Sequence, residues 1–271
     1  MSAATPKEIL NKLSDTAVTK AGGSTRMLIL MAILAGAYIA FGGFASTMAS
    51  YNLIADPDTF GLGKLVSGCV FPIGLMLVVL CGAELFTGNC LMVIGVSDRR
   101  ISVGAMLRNW GIVYIGNFIG AMIVVIMVTY AAPLDSSGGL LGAIMVKTAI
   151  GKVSMDFGKA LVLGILCNWL VCLAVWMATG AKETISKIFS IFFIIMAFVV
   201  SGFEHSIANM YFIPAGMIAS ANDAYVQLLG LDPSGLTVGS FLINNLLPVT
   251  IGNIIGGSVF VGMMYWLIHK K

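Results

Sequence analysis

Gly82-Ala83-Glu84-Leu85-Phe86-Thr87-Gly88-Asn89 and Gly202-Phe203-Glu204-His205-Ser206-Ile207-Ala208-Asn209 decide how this chain folds. Each follows an apolar run, and each holds Gly, Glu and Asn at the same spacing. A second match lies downstream of each. Asn109 precedes Gly116-Asn117-Phe118-Ile119-Gly120, and Asn245 precedes Gly252-Asn253-Ile254-Ile255-Gly256. One such match could arise by chance among 32 glycines. Two in corresponding order indicate a duplicated unit.

The composition says what kind of unit it is. The chain has 271 residues, 59% hydrophobic and 10% charged, with a mean hydropathy of +1.00. A soluble domain carries about 25% charged residues, so this is an all-α membrane protein. A soluble enzyme, a secreted disulfide scaffold and a disordered chain are excluded. The net charge of +3 offers nothing to nucleic acid. The five cysteines (Cys69, Cys81, Cys90, Cys167, Cys172) form no CxxC pair, and there are two histidines, His205 and His269. No metal or cofactor is expected from that set.

A spanning helix needs about 20 apolar residues. Six spans are predicted, over residues 27–48, 65–82, 110–132, 160–178, 185–200 and 241–268. Two shorter apolar stretches, 84–96 and 205–219, remain. The chain reads as one membrane domain, 1–271, without a secretory leader. Residues 1–26 form its cytoplasmic N-terminal segment. In it, Thr5-Pro6-Lys7-Glu8 reads as a capping box. Ile9, Leu10, Leu13 and Ala17 fall on one face, as in a helix lying at the membrane surface.

Basic residues set the orientation. With the N-terminus inside, Lys7, Lys12, Lys20, Arg26, Arg99, Arg100, Arg108, Lys182, Lys187, Lys270 and Lys271 face the cytoplasm. Lys64, Lys147, Lys152 and Lys159 face out, a bias of eleven to four, and both termini are cytoplasmic. Three of the four exceptions cluster in one outer loop before the fourth span.

A unit of three spans is odd, so its second copy is inverted across the membrane. Inverted repeats with interrupted helices at matching positions point to a permeation site where they meet. Irregular backbone at that depth is tolerated where protein buries it or water reaches it.

Candidate residues gather at the breaks. His205 titrates near neutrality and could offer a proton to a passing weak acid; it could equally hydrogen-bond backbone freed by the break. Glu84 and Glu204 are expected to accept backbone N–H bonds and lock the broken helices. Thr87 has a hydroxyl that donates and accepts. Asn168, in the middle of a span, either faces a pore or joins helices. Lys152 places positive charge at the outer mouth.

Three segments resemble the formate/nitrite transporter family. They are Leu80 through Gly88 (LCGAELFTG), Gly164 through Ala174 (GILCNWLVCLA) and Phe203 through Met210 (FEHSIANM). The resemblance runs the length of the chain. It implies an aquaporin-like six-helix fold, an inverted 3+3 repeat with two broken helices, assembled as a homopentamer with one pore per protomer. It also implies passage of formate, nitrite or hydrosulfide, as anions or conjugate acids. By motif position Thr87, Lys152, Asn168 and His205 match polar pore residues. Phe71, Leu75, Leu85, Phe86, Val171 and Phe198 match two apolar constrictions. Formate is the first expectation and hydrosulfide the alternative. On this reading His205→Asn abolishes the pH dependence of flux. A membrane-embedded enzyme would need a cofactor or metal set, and a purely structural membrane protein would not need inverted breaks.

Overall fold

The computed structural model describes residues 3–270. Met1 and Ser2 of the N-terminal segment, and Lys271 of the cytoplasmic basic set, lie outside the described residues. Among the described residues every regular element is helical.

The first half runs α1 (Pro6–Ala21), α2 (Thr25–Ala55), α3 (Phe60–Cys81), α4 (Phe86–Ser97) and α5 (Val103–Ala131). The second half runs α6 (Ser136–Val153), α7 (Phe157–Gly180), α8 (Thr184–Val200), α9 (Ser206–Ala219), α10 (Asp223–Leu228) and α11 (Val238–His269). Five helices are long and apolar enough to cross a bilayer: α2, α3, α5, α7 and α11. The sixth expected span is α8, with 17 residues, and α9 continues beyond its break. In the same way α4 continues beyond α3.

Both breaks are made by a glycine. α3 ends at Gly82 with φ of 77°, and α8 is followed by Gly202 with φ of 72°. This left-handed conformation is open to glycine at no steric cost. The glycines of the downstream motif serve a different purpose. A Cβ on Gly120 would overlap the carbonyl oxygen of Ile33 in α2, and one on Gly256 that of Ile165 in α7. The first and last spans of each half therefore touch backbone to backbone, a contact typical of small residues in membrane helices.

Two expectations change. The stripe Ile9, Leu10, Leu13 and Ala17 is buried as predicted, but against the protein itself. Ile9, Leu10 and Leu13 pack with Leu91, Ile94, Trp176 and Val261, so α1 caps the bundle instead of lying on lipid. The basic outer loop is not a loop. Residues Ser136–Val153 form α6, whose first turn holds Ser137, Gly138 and Gly139 at positive φ.

Candidate functional site

Each break exposes the first N–H groups of the helix that follows it, and these need partners. The repeated asparagines supply them. Asn117 Oδ1 accepts from Phe86 N at 3.0 Å, and its amide donates to the carbonyls of Ala32 and Glu84. Asn253 Oδ1 accepts from Ser206 N at 2.9 Å, and its amide donates to Gly164 and Glu204. Each asparagine thus ties its break to the first span of its own half.

The carboxylates lock the breaks through side chains, not through the backbone N–H groups the sequence suggested. Lys20 Nζ lies 2.7 Å from Glu84 Oε1, and Lys152 Nζ lies 2.7 Å from Glu204 Oε1. Asn89 donates to Glu84 Oε2 and to Asn109 Oδ1; Asn209 donates to Glu204 Oε2 and to Asn245 Oδ1. Asn109 and Asn245 then donate to the carbonyls of Lys20 and Lys152. The two networks match in these bonds, and the second has one more, a long contact of 3.4 Å from the Asn245 amide to Glu204 Oε2. Buried charges are tolerated when paired and hydrogen-bonded in this way.

Lys20 is a site residue that sequence reasoning passed over. It precedes Glu84 by 64 residues, whereas Lys152 precedes Glu204 by 52. The first span of the first half is longer, 31 residues against 24, so comparison of the halves at fixed spacing fails there. The repeat therefore includes the helices before each first span, α1 in one half and α6 in the other.

Within this symmetric frame the centre is asymmetric. His205 Nε2 and Thr87 Oγ1 are 2.9 Å apart, joining the two breaks. His205 Nδ1 accepts from Ala208 N at 3.0 Å and caps α9. A nitrogen that accepts an N–H carries no proton, so the ring is the neutral Nε2–H tautomer and donates to the Thr87 hydroxyl. Asn168 is fully buried and holds backbone. Its amide donates to the carbonyls of Thr87 and Asn253, and Cys172 Sγ donates to the same Thr87 carbonyl at 3.3 Å. Both side chains fix the Thr87 backbone.

Two vestibules approach this centre. One, of about 310 Å³, is lined by Phe71, Phe198, Lys64, Lys152, Glu204 and His205 among others. The other, of about 330 Å³, is lined by Lys20, Leu75, Glu84, Leu85 and Gly88 among others. The Phe71 and Phe198 rings meet edge to face at 5.5 Å, and Phe198 lies over His205 at 6.2 Å. Apolar residues thus line both vestibules, Phe71 with Phe198 on one side and Leu75 with Leu85 on the other. Phe86 packs edge-on against Tyr114 and Trp110 of α5, and Val171 is buried in the helix core; these two and Thr87 are not among the residues that line the two vestibules.

Two matching halves, two breaks joined by a hydrogen bond and a vestibule beside each break define a membrane transport protein. The family model described as formate/nitrite transporter matches residues 7–267, and the chain belongs to that family. The "Probable formate transporter" of Methanothermobacter thermautotrophicus is 41% identical, covering 98% of this chain and 97% of its own. "Formate channel FocA" of Escherichia coli (strain K12) is 39% identical, covering 98% and 94%. A solved "Pentameric formate channel with formate bound" superposes with a TM-score of 0.81 at 36% identity, covering 91% of this chain and 98% of its own. The family is one of channels and transporters, not of enzymes.

Proposed function

We propose that this chain forms a homopentamer in the cytoplasmic membrane, each protomer passing formate or its conjugate acid without chemical change. The observation that carries the reading is the Thr87–His205 hydrogen bond joining the two breaks, with a vestibule partly lined by apolar side chains beside each break. A bare anion entering so apolar a passage loses hydration worth several kcal/mol or more, and the neutral acid loses far less. The anion gathers in a vestibule, takes a proton from hydronium in the bathing solution, leaving water, and crosses as the acid. His205 and Thr87 then give it a donor and an acceptor where the two breaks touch. The relatives named for formate support that substrate over nitrite and hydrosulfide.

In this arrangement His205 acts as a neutral hydrogen-bond donor. To relay a proton it would have to be protonated at Nδ1, which breaks its bond to Ala208 N. Asn168 positions Thr87, and Lys152 with Glu204 holds the second break. The bias of basic residues supports an orientation with both termini and the Lys20 vestibule on the cytoplasmic side and the Lys152 vestibule outside. Residues 1–271 act as one domain, with 1–26 as its cytoplasmic segment.

Stopped-flow measurements on proteoliposomes with formate, nitrite and hydrosulfide at two pH values test the reading. Formate flux is expected to be fastest and to rise as pH falls. Faster nitrite or hydrosulfide flux would reassign the substrate, and no anion flux would overturn the channel reading.

A further inference from the structure

The two vestibules share one scaffold but differ in charge. On the Lys20 side, one lysine and one glutamate line the cavity, and they neutralise each other at 2.7 Å. On the Lys152 side, three lysines (Lys64, Lys147, Lys152) face one glutamate, Glu204, leaving a net charge of +2. Lys152 is not the source of that excess, because its ammonium is paired to Glu204 and 15% exposed. Lys147 is exposed at the rim. That leaves Lys64, half-buried on α3, which makes no hydrogen bond or salt bridge among the described residues.

The position of Lys64 is informative. Lys64, Ser67 and Phe71 follow one another along one face of α3, and all three line the vestibule. The ammonium reaches toward the second break: its Nζ lies 3.8 Å from where a Cβ on Gly202 would stand. Beyond it are Phe71, Phe198 and His205. Lysine is rarely buried without a partner, and the nearby Lys152–Glu204 pair carries no net charge to compensate it. A small anion from solution would. Counted back from the equivalent glycines Gly82 and Gly202, the counterpart of Lys64 is Thr184, which does not line the opposite vestibule. The opposite side has no such ammonium.

We propose that Lys64 is the docking point for the permeant anion in the Lys152-side vestibule, just before the Phe71–Phe198 constriction. The inference rests on the channel reading and adds a sided, electrostatic capture step to it. An unscreened positive charge within about 6 Å of a docked monovalent anion is expected to tighten capture on the order of fivefold at low salt. The gain falls as salt rises.

Two measurements on the purified pentamer separate this inference from the reading beneath it. In the first, formate flux is followed in proteoliposomes at increasing formate and salt concentrations for wild type, Lys64→Gln and Lys64→Arg. Lys64→Gln is expected to raise the half-saturating formate concentration about fivefold at low salt and to flatten its salt dependence, and Lys64→Arg to restore both. Unchanged half-saturation and salt dependence in Lys64→Gln overturn the proposal. In the second, wild-type protein is labelled with an amine-acylating reagent, and modification of Lys64 and exposed Lys182 is read by mass spectrometry. Formate is expected to slow labelling of Lys64 and not of Lys182. Equal labelling rates with and without formate overturn the proposal even where flux is normal. Protection of Lys64 in a protein that passes no formate would support the docking point and sink the channel reading alone.

Discussion

Asn117 and Asn253 provide the sharpest test of the fold. Each is fully buried, and each makes three hydrogen bonds to backbone, two to its break and one to a carbonyl inside the first span, with lengths of 3.0, 2.8 and 2.9 Å for Asn117 and 2.9, 2.8 and 3.0 Å for Asn253. Alanine at either position orphans one N–H and one carbonyl of the break; the carbonyl in the span keeps its helical partner. An unsatisfied buried group costs about 1–3 kcal/mol, so the gross loss is about 2–6 kcal/mol. Water entering the space vacated by the amide recovers part of this, and about 4 kcal/mol remains. At roughly 2–4 °C per kcal/mol for chains of this size, that predicts a fall in Tm of about 10 °C. Because the two asparagines make matching bonds, Asn117→Ala and Asn253→Ala should fall together, within about 1 kcal/mol of each other. The assay is thermal unfolding of the detergent-solubilised protein, followed by circular dichroism. Wild-type stability in either variant, or a large effect in one alone, would refute the claim that equivalent asparagines hold equivalent breaks.

Three further outcomes follow from the geometry. His205→Asn should slow formate flux yet leave its rise at low pH in place, reversing the sequence-based expectation, because the ring is a neutral donor; a pH-independent rate in liposomes would restore the relay. Glu204→Ala strands the Lys152 ammonium and should cost about 3 kcal/mol. Lys152→Met combined with Glu204→Ala should recover much of that in the same unfolding assay, and a double variant less stable than the single would disprove the pairing argument. The third concerns Asp98, which fastens α1 to the C-terminus. It accepts from Ser14 and Trp266, each at 2.6 Å, and pairs with Lys270 at 2.8 Å. Burial pushes its carboxyl up, but the bonds from Lys270, Ser14 and Trp266 outweigh this and hold it below the ordinary value of 3.8. A lowered carboxylate contributes stability that is complete above its unfolded value and lost as pH falls through the folded one. Hydrogen-exchange protection of α1 should therefore be flat from about pH 7 to pH 5 in wild type. It should be weaker throughout in Asp98→Asn, and a wild-type transition inside that window would count against Asp98 as the fastener.

Where the sequence was legible, the signal was chemical scarcity. Glu84, Glu204, Asn117 and Asn253 stand out because polar groups in apolar runs are few, and each proved to satisfy a break. The stripe on α1 was legible as a stripe, but hydrophobic periodicity does not say whether lipid or protein covers it. The helix α6 was hidden because its 18 residues, opened by two serines and two glycines and carrying Lys147 and Lys152, read as a basic loop too polar for a span. Phe86 and Val171 were assigned to constrictions by motif position. Their direction depends on how α4 and α7 are rotated, which no spacing fixes. Lys20 was obscured by the unequal first spans.

The operation that exchanges the halves also bears on the proposal that the centre takes one small group. Residue 205 in the second half corresponds to residue 85 in the first, and residue 87 to residue 207. The Thr87–His205 pair is therefore carried onto Ile207–Leu85, a polar contact onto an apolar one. Asn168, which fixes Thr87, corresponds to Gly36, so the side chain that orients the hydroxyl is likewise present once. Duplicated features hold the breaks open in the membrane: the asparagines, the lysine–glutamate pairs and the left-handed glycines. Features that occur once form the junction. A fully symmetric centre would be either an apolar plug or a polar cluster that holds its ligand too firmly to release it. One donor and one acceptor facing apolar neighbours can bind a small acid briefly and let it leave toward either vestibule.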